Sequence, residues 1–94
     1  VELISELSKH QDRMYIYEEI SAERNFQDKK HPDFQPDNAH RLAVLTEEVG
    51  EVAKGIQEKD ITNLRYELIQ VAAVAVRWIE AIDKSYPSLD NKQK

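Results

Sequence analysis

At 94 residues the chain has room for one domain with a modest core, so association of subunits is expected to complete it. Charged residues make up 33% and hydrophobic ones 40%, with two Gly and three Pro, which favours a helical protein over a disordered or β-rich one. A net charge of −5 excludes a general nucleic-acid binder, which needs a basic footprint against phosphates, and the absence of Cys excludes disulfides and thiolate metal sites.

The longest apolar run, Val71 to Val76, is far too short to cross a bilayer, and the amino-terminal stretch lacks the basic-then-apolar pattern of a signal peptide. The expected setting is therefore cytoplasmic, with neither a membrane nor a nucleic acid as partner.

From Val1 to Asp28, helical spacing in Leu3, Leu7, Met14, Tyr17 and Ile20, uninterrupted by Pro or Gly, predicts one long helix or two abutting ones. Tyr15, Tyr17 and Phe26 could stack on a base, but aromatic residues at this spacing are expected in the core. Residues 29–38, reading KKHPDFQPDN, form a connector, because Pro32 and Pro36 each bias the preceding residue away from the helix. His31 is the sort of side chain such a loop would use on a phosphate, although a lone loop His is more often simply solvated. Asp37 or Asn38 supplies the cap for the next helix.

That helix is expected over 39–58. Leu42, Leu45, Val49, Val52 and Ile56 gather on one side, and Glu47, Glu48 and Glu51 occupy an arc of about 100° away from them. An acidic arc opposite an apolar stripe is the usual pattern of a solvated face. Two details point elsewhere. Val44 lies within the arc, and Gly50 sits mid-helix at a cost of about 1 kcal/mol relative to Ala, which predicts a close approach by another element.

After a polar link at 59–63, a third helix is expected over 64–84, capped by Asp60, Thr62 or Asn63. Leu64, Leu68, Val71, Ala75, Ile79 and Ile82 form its main stripe, with further apolar residues elsewhere, so it should be the central helix. Glu67 and Gln70 lie at the edge of that stripe, where a charge needs a cation or a set of donors to meet it. An ion pair with Lys54 or Arg41 would also satisfy Glu67. Residues 86–94 read as a polar tail.

Consecutive helices joined by a short link tend to pack antiparallel, which brings the acidic arc towards Glu67 and Gln70. Clustered carboxylates suit a hard cation such as Mg²⁺ together with substrate phosphates. Glu47, Glu48 and Glu51 form EExxE, Lys54 follows them, and Glu67 opens the apolar ELIQVAAVAVRW segment. In these residues, and in the preceding HPDFQPDNAHRLAVL, the chain resembles the MazG family of all-α nucleoside triphosphate pyrophosphohydrolases, whose pattern is EExxE followed by ExxD.

The resemblance, which covers about Leu42 to Ile82, implies an antiparallel bundle of three to four helices completed as a homodimer or homotetramer. It implies Mg²⁺-dependent cleavage, with Mn²⁺ as the alternative metal, of a nucleoside triphosphate to its monophosphate and pyrophosphate. Glu48, Glu51, Glu67 and Gln70 would hold the metal, with Glu47 as the base that orients water or as a further ligand. Lys54, Arg77 and Trp78 would contact substrate, although Lys54 is equally suited to an ion pair with Glu51 and the place of Trp78 next to the main stripe favours core packing. Where the family pattern has Asp, this chain has Gln70, whose amide oxygen can coordinate Mg²⁺ but brings no charge.

Overall fold

The computed structural model describes residues 2–33 and 35–86, and among them every regular element is helical: α1 (Glu2–Lys30), α2 (Asn38–Gln57) and α3 (Ile61–Ser85). The expected polar tail falls outside the described residues beyond Tyr86. No helix among the described residues is long and apolar enough to cross a membrane.

α1 is a single helix, with Glu2 in its first turn and Lys29 and Lys30 in its last, the charge order that complements the helix dipole. It ends where Pro32 removes a donor and disfavours the helical conformation at His31, whose amide still donates to Gln27 O at 2.9 Å. Asp37 then caps α2, its carboxylate accepting from the His40 amide at 2.8 Å.

The α2–α3 link is tighter than the spacing predicts. α3 begins at Ile61, three residues before the expected start, because Asp60 accepts from the Asn63 amide at 3.0 Å and nucleates the helix there. Lys59 closes the turn with φ 56°, a left-handed conformation that costs a non-glycine residue about 1 kcal/mol. The close approach expected at Gly50 is absent, since a Cβ there would meet nothing within 4 Å. It occurs instead at Gly55, which is buried and where a Cβ would stand 3.4 Å from Leu64 Cα. The missing side chain lets the end of α2 lie directly against the start of α3.

α3 is the central helix. It packs on both α1 and α2, which do not pack on each other. Gly55 against Leu64 at one end and Asn38 against Trp78 at the other make α2 and α3 antiparallel. Along α1 and α3 the contacts ascend together, Glu19 with Arg65 and Arg24 with Glu80, so these two run in the same sense.

The core is small and lies off the main stripe. Ala73, with 0% exposure, is its most buried side chain, whereas Leu68 and Ile79 of the expected stripe are exposed, as are Leu42, Val49 and Ile56 of α2. Tyr15, Tyr17 and Phe26, expected in the core, are exposed as well. The reason is geometric: three helices in an open row offer α3 two partners, and the outward faces of all three meet none. A radius of gyration of 16.0 Å, against about 12 Å for a compact chain of this length, records the same openness.

Candidate functional site

α1 and α2 flank α3 without packing on each other, and the space between them is a groove of about 410 Å³ floored by α3. Each helix lends one face. Arg41, Val44 and Glu48 recur at three- and four-residue intervals along α2, as do Tyr66, Gln70, Val74 and Arg77 along α3, so each set lies on a single side. α1 adds Glu23, Phe26, Gln27 and Lys30 from its last two turns. Because α2 runs against α3 and α1 runs with it, equal heights carry like charge. Glu23, Glu48 and Gln70 share one end of the groove; Lys30, His31, Arg41 and Arg77 share the other.

At the acidic end Glu48 carries the electrostatic load. Partial burial raises its proton affinity above the ordinary carboxylate value, and the charges of Glu67, Glu47, Glu51 and Glu23 raise it further. Tyr66 is pushed the same way by burial and by Glu23, Glu67 and Glu48. Carboxylates from all three helices thus act on one place, and among the described residues none of Glu23, Glu47, Glu48, Glu51 and Glu67 forms an ion pair. The ion pair of Glu67 with Lys54 or Arg41 is therefore not formed. Among the same residues, no three carboxylate or imidazole side chains converge closely enough to hold a metal ion as they stand.

The expected site residues separate into two groups. Glu48, Gln70 and Arg77 line the groove, and Glu67 lies beside it, near enough for its charge to be felt at Glu48 and Tyr66. Glu47 and Glu51 are exposed on α2 and act on Glu48 from outside the lining. Lys54 is exposed and does not line the groove. Trp78 donates its indole N–H to Asn38 Oδ1 at 2.9 Å, which ties the end of α3 to the start of α2 and leaves the ring outside the lining.

No protein family, curated protein or solved structure matches this chain. Its function is therefore read from its own residues.

At the basic end Arg77 donates to His31 O at 3.0 Å, which holds the connector against α3. Arg41 is partly buried, and its guanidinium is disfavoured first by that burial and then by repulsion from Arg77 and Arg24. Glu23, Lys30, Arg41 and Tyr66 are among the groove residues that the sequence reading missed as candidates. The signal for Glu23 was present in the chain, since Glu23, Gln27 and Lys30 continue a polar face along α1. What was not present was the packing that sets this face opposite Glu48.

Proposed function

We propose that this chain is a MazG-like nucleotide pyrophosphohydrolase that converts a nucleoside or deoxynucleoside triphosphate to its monophosphate and pyrophosphate. The observation that carries the reading is that carboxylates from α1, α2 and α3 all act on Glu48, with no cation among the described residues paired to them. Like charges gathered in a half-buried place lower the stability of the fold, and a site for a cation accounts for that cost.

The donor set is all oxygen and fits Mg²⁺, with Mn²⁺ also suited. Glu48, Glu51, Glu67 and Gln70 would hold it. When bound, the metal supplies positive charge against the phosphates and polarises the attacking water. The chain's own residues do the remainder. Glu47 is proposed to accept the proton of that water or to add a ligand, Arg77 to meet the phosphates, and Lys54 and Trp78 to reach the outer parts of the substrate. Phe26 and Tyr66 give the groove aromatic surface beside the acidic end, where a base can lie.

Incubation with a panel of NTPs and dNTPs plus Mg²⁺ or Mn²⁺ tests the reading. Monophosphate and pyrophosphate are expected, and are expected to vanish in Glu51→Gln. Absence of turnover with every nucleotide would remove the enzymatic proposal. Gln70 supports a second reading, a module with the same fold that binds nucleotide and metal with little or no turnover. Metal-dependent nucleotide binding in calorimetry, without products, is its signature.

We also propose a homodimer or homotetramer in a cytoplasmic setting. The first half of α1 exposes Leu3, Leu7, Met14 and Tyr17, which no other element among the described residues covers, and a second copy would bury them. Light scattering that reads only the 11.0 kDa monomer at every concentration would contradict this.

A further inference from the structure

We infer that the basic end of the groove, where Arg41 of α2 faces Arg77 of α3 beside Lys30 and His31, is a seat for a polyphosphate anion, with Arg41 as its principal ligand. The occupant is a diphosphate or triphosphate group, whether carried by a nucleotide or free. That a nucleotide delivers it rests on the pyrophosphohydrolase reading; the seat itself is read from the arginines.

The nearby acids are already engaged. Glu80 and Asp28 both take Arg24, at 2.8 and 3.1 Å, and Asp37 accepts from the His40 amide to cap α2. Among the described residues Arg41 forms no ion pair and no side-chain hydrogen bond. It is nonetheless held in a partly covered position that borders two grooves. Partial burial and the charges of Arg77 and Arg24 disfavour its guanidinium there, and an anion seated between the arginines offsets that repulsion.

The shape of the group selects phosphate. The Arg41 guanidinium fork can bind a phosphate in a bidentate manner, which a lysine cannot do, and Arg77, held to His31 O at 3.0 Å, adds its charge. Spacing supplies the chain length. Gln70 and Arg77 are two turns apart on α3, about 10 Å. An extended polyphosphate can therefore place one end among the arginines and the other near Glu48 and Gln70. The groove thus has a direction, with metal at the carboxylate end and phosphate at the arginine end.

Isothermal titration calorimetry with inorganic tripolyphosphate in EDTA tests the seat without metal or nucleotide. The full chain is expected to bind, Arg41→Gln to bind about tenfold or more weakly, and Arg41→Lys to fall between them because it keeps charge but loses the fork. Lys9→Gln, on the exposed part of α1, is expected to bind as the unaltered chain does. Circular dichroism establishes that each variant is folded; if Arg41→Gln is not, a severalfold loss in Arg41→Lys carries the test. No tripolyphosphate binding, or equal losses in Arg41→Gln and Lys9→Gln, would overturn the proposal. Tripolyphosphate binding by a chain that hydrolyses no nucleotide would leave the seat standing and remove the pyrophosphohydrolase reading.

Discussion

The seam between α1 and α3 and the groove beside it use charge in opposite ways. Along the seam opposite charges meet: Arg24, only 8% exposed, is bound by Glu80 with Asp28 alongside, and Arg65 is clasped by Glu19 at 2.6 and 2.8 Å. In the groove like charges gather. Carboxylates from three helices raise the proton affinity of Glu48, and Arg77 and Arg24 disfavour the charged form of Arg41. The same chain pairs opposite charges along the seam and sets like charges near one another in the groove. That contrast, more than the number of acidic residues, is what the proposed function rests on.

Breaking the seam should have the larger effect on stability. Arg24→Gln leaves Glu80 without its cation and removes one of few links between α1 and the rest. Removing one partner of a buried pair costs about 3–5 kcal/mol; with the Glu80 side chain 42% exposed, solvent recovers part of this and about 2 kcal/mol is expected. Urea unfolding measures it, and an unchanged midpoint would show that the pair does not hold the seam.

Relieving the groove should act in the reverse direction and more weakly. Because Glu48 is protonated more readily in the folded chain than in the unfolded one, its ionisation subtracts stability as pH rises above the ordinary carboxylate range. Glu48→Gln is therefore expected to raise the unfolding midpoint at about pH 7 and to leave it nearly unchanged at about pH 4. Glu19 has the opposite sign. Hydrogen bonds from Arg65 hold its carboxyl below the ordinary range, so its contribution is present above that range and is lost as pH falls. Equal midpoints for Glu48→Gln and the unaltered chain at both pH values would mean that the acidic end carries no strain.

Much of the fold was legible because it is local. Pro32 and Pro36 marked the connector, Asp37 and Asp60 are short-range caps, and the apolar breadth of α3 identified the central helix. The site was legible in part, for the same reason. Glu48 and Gln70 could be brought together by a hairpin of consecutive helices, and they line one groove. What depended on α1 was not legible. Nothing in the local pattern says that Glu23 comes to the level of Glu48, or that Arg24 turns inward to Glu80, 56 residues away. The glycines show the same limit. Helix propensity flagged Gly50, whereas the close contact is at Gly55, where the turn brings Leu64 back against α2. The exposure of Leu68, Ile79 and part of the α2 stripe could not be read from spacing, which identifies an apolar face without saying whether the same chain covers it.

The central claim is that the unrelieved charges of the groove serve phosphate chemistry, and phosphorus NMR of one reaction mixture addresses it most directly. A triphosphate is followed with Mg²⁺ and either the unaltered chain or Glu51→Gln. The account predicts that monophosphate and pyrophosphate signals grow together in the first sample and are absent from the second. Triphosphate that stays intact across the nucleotide panel, or that yields diphosphate and orthophosphate, would contradict it.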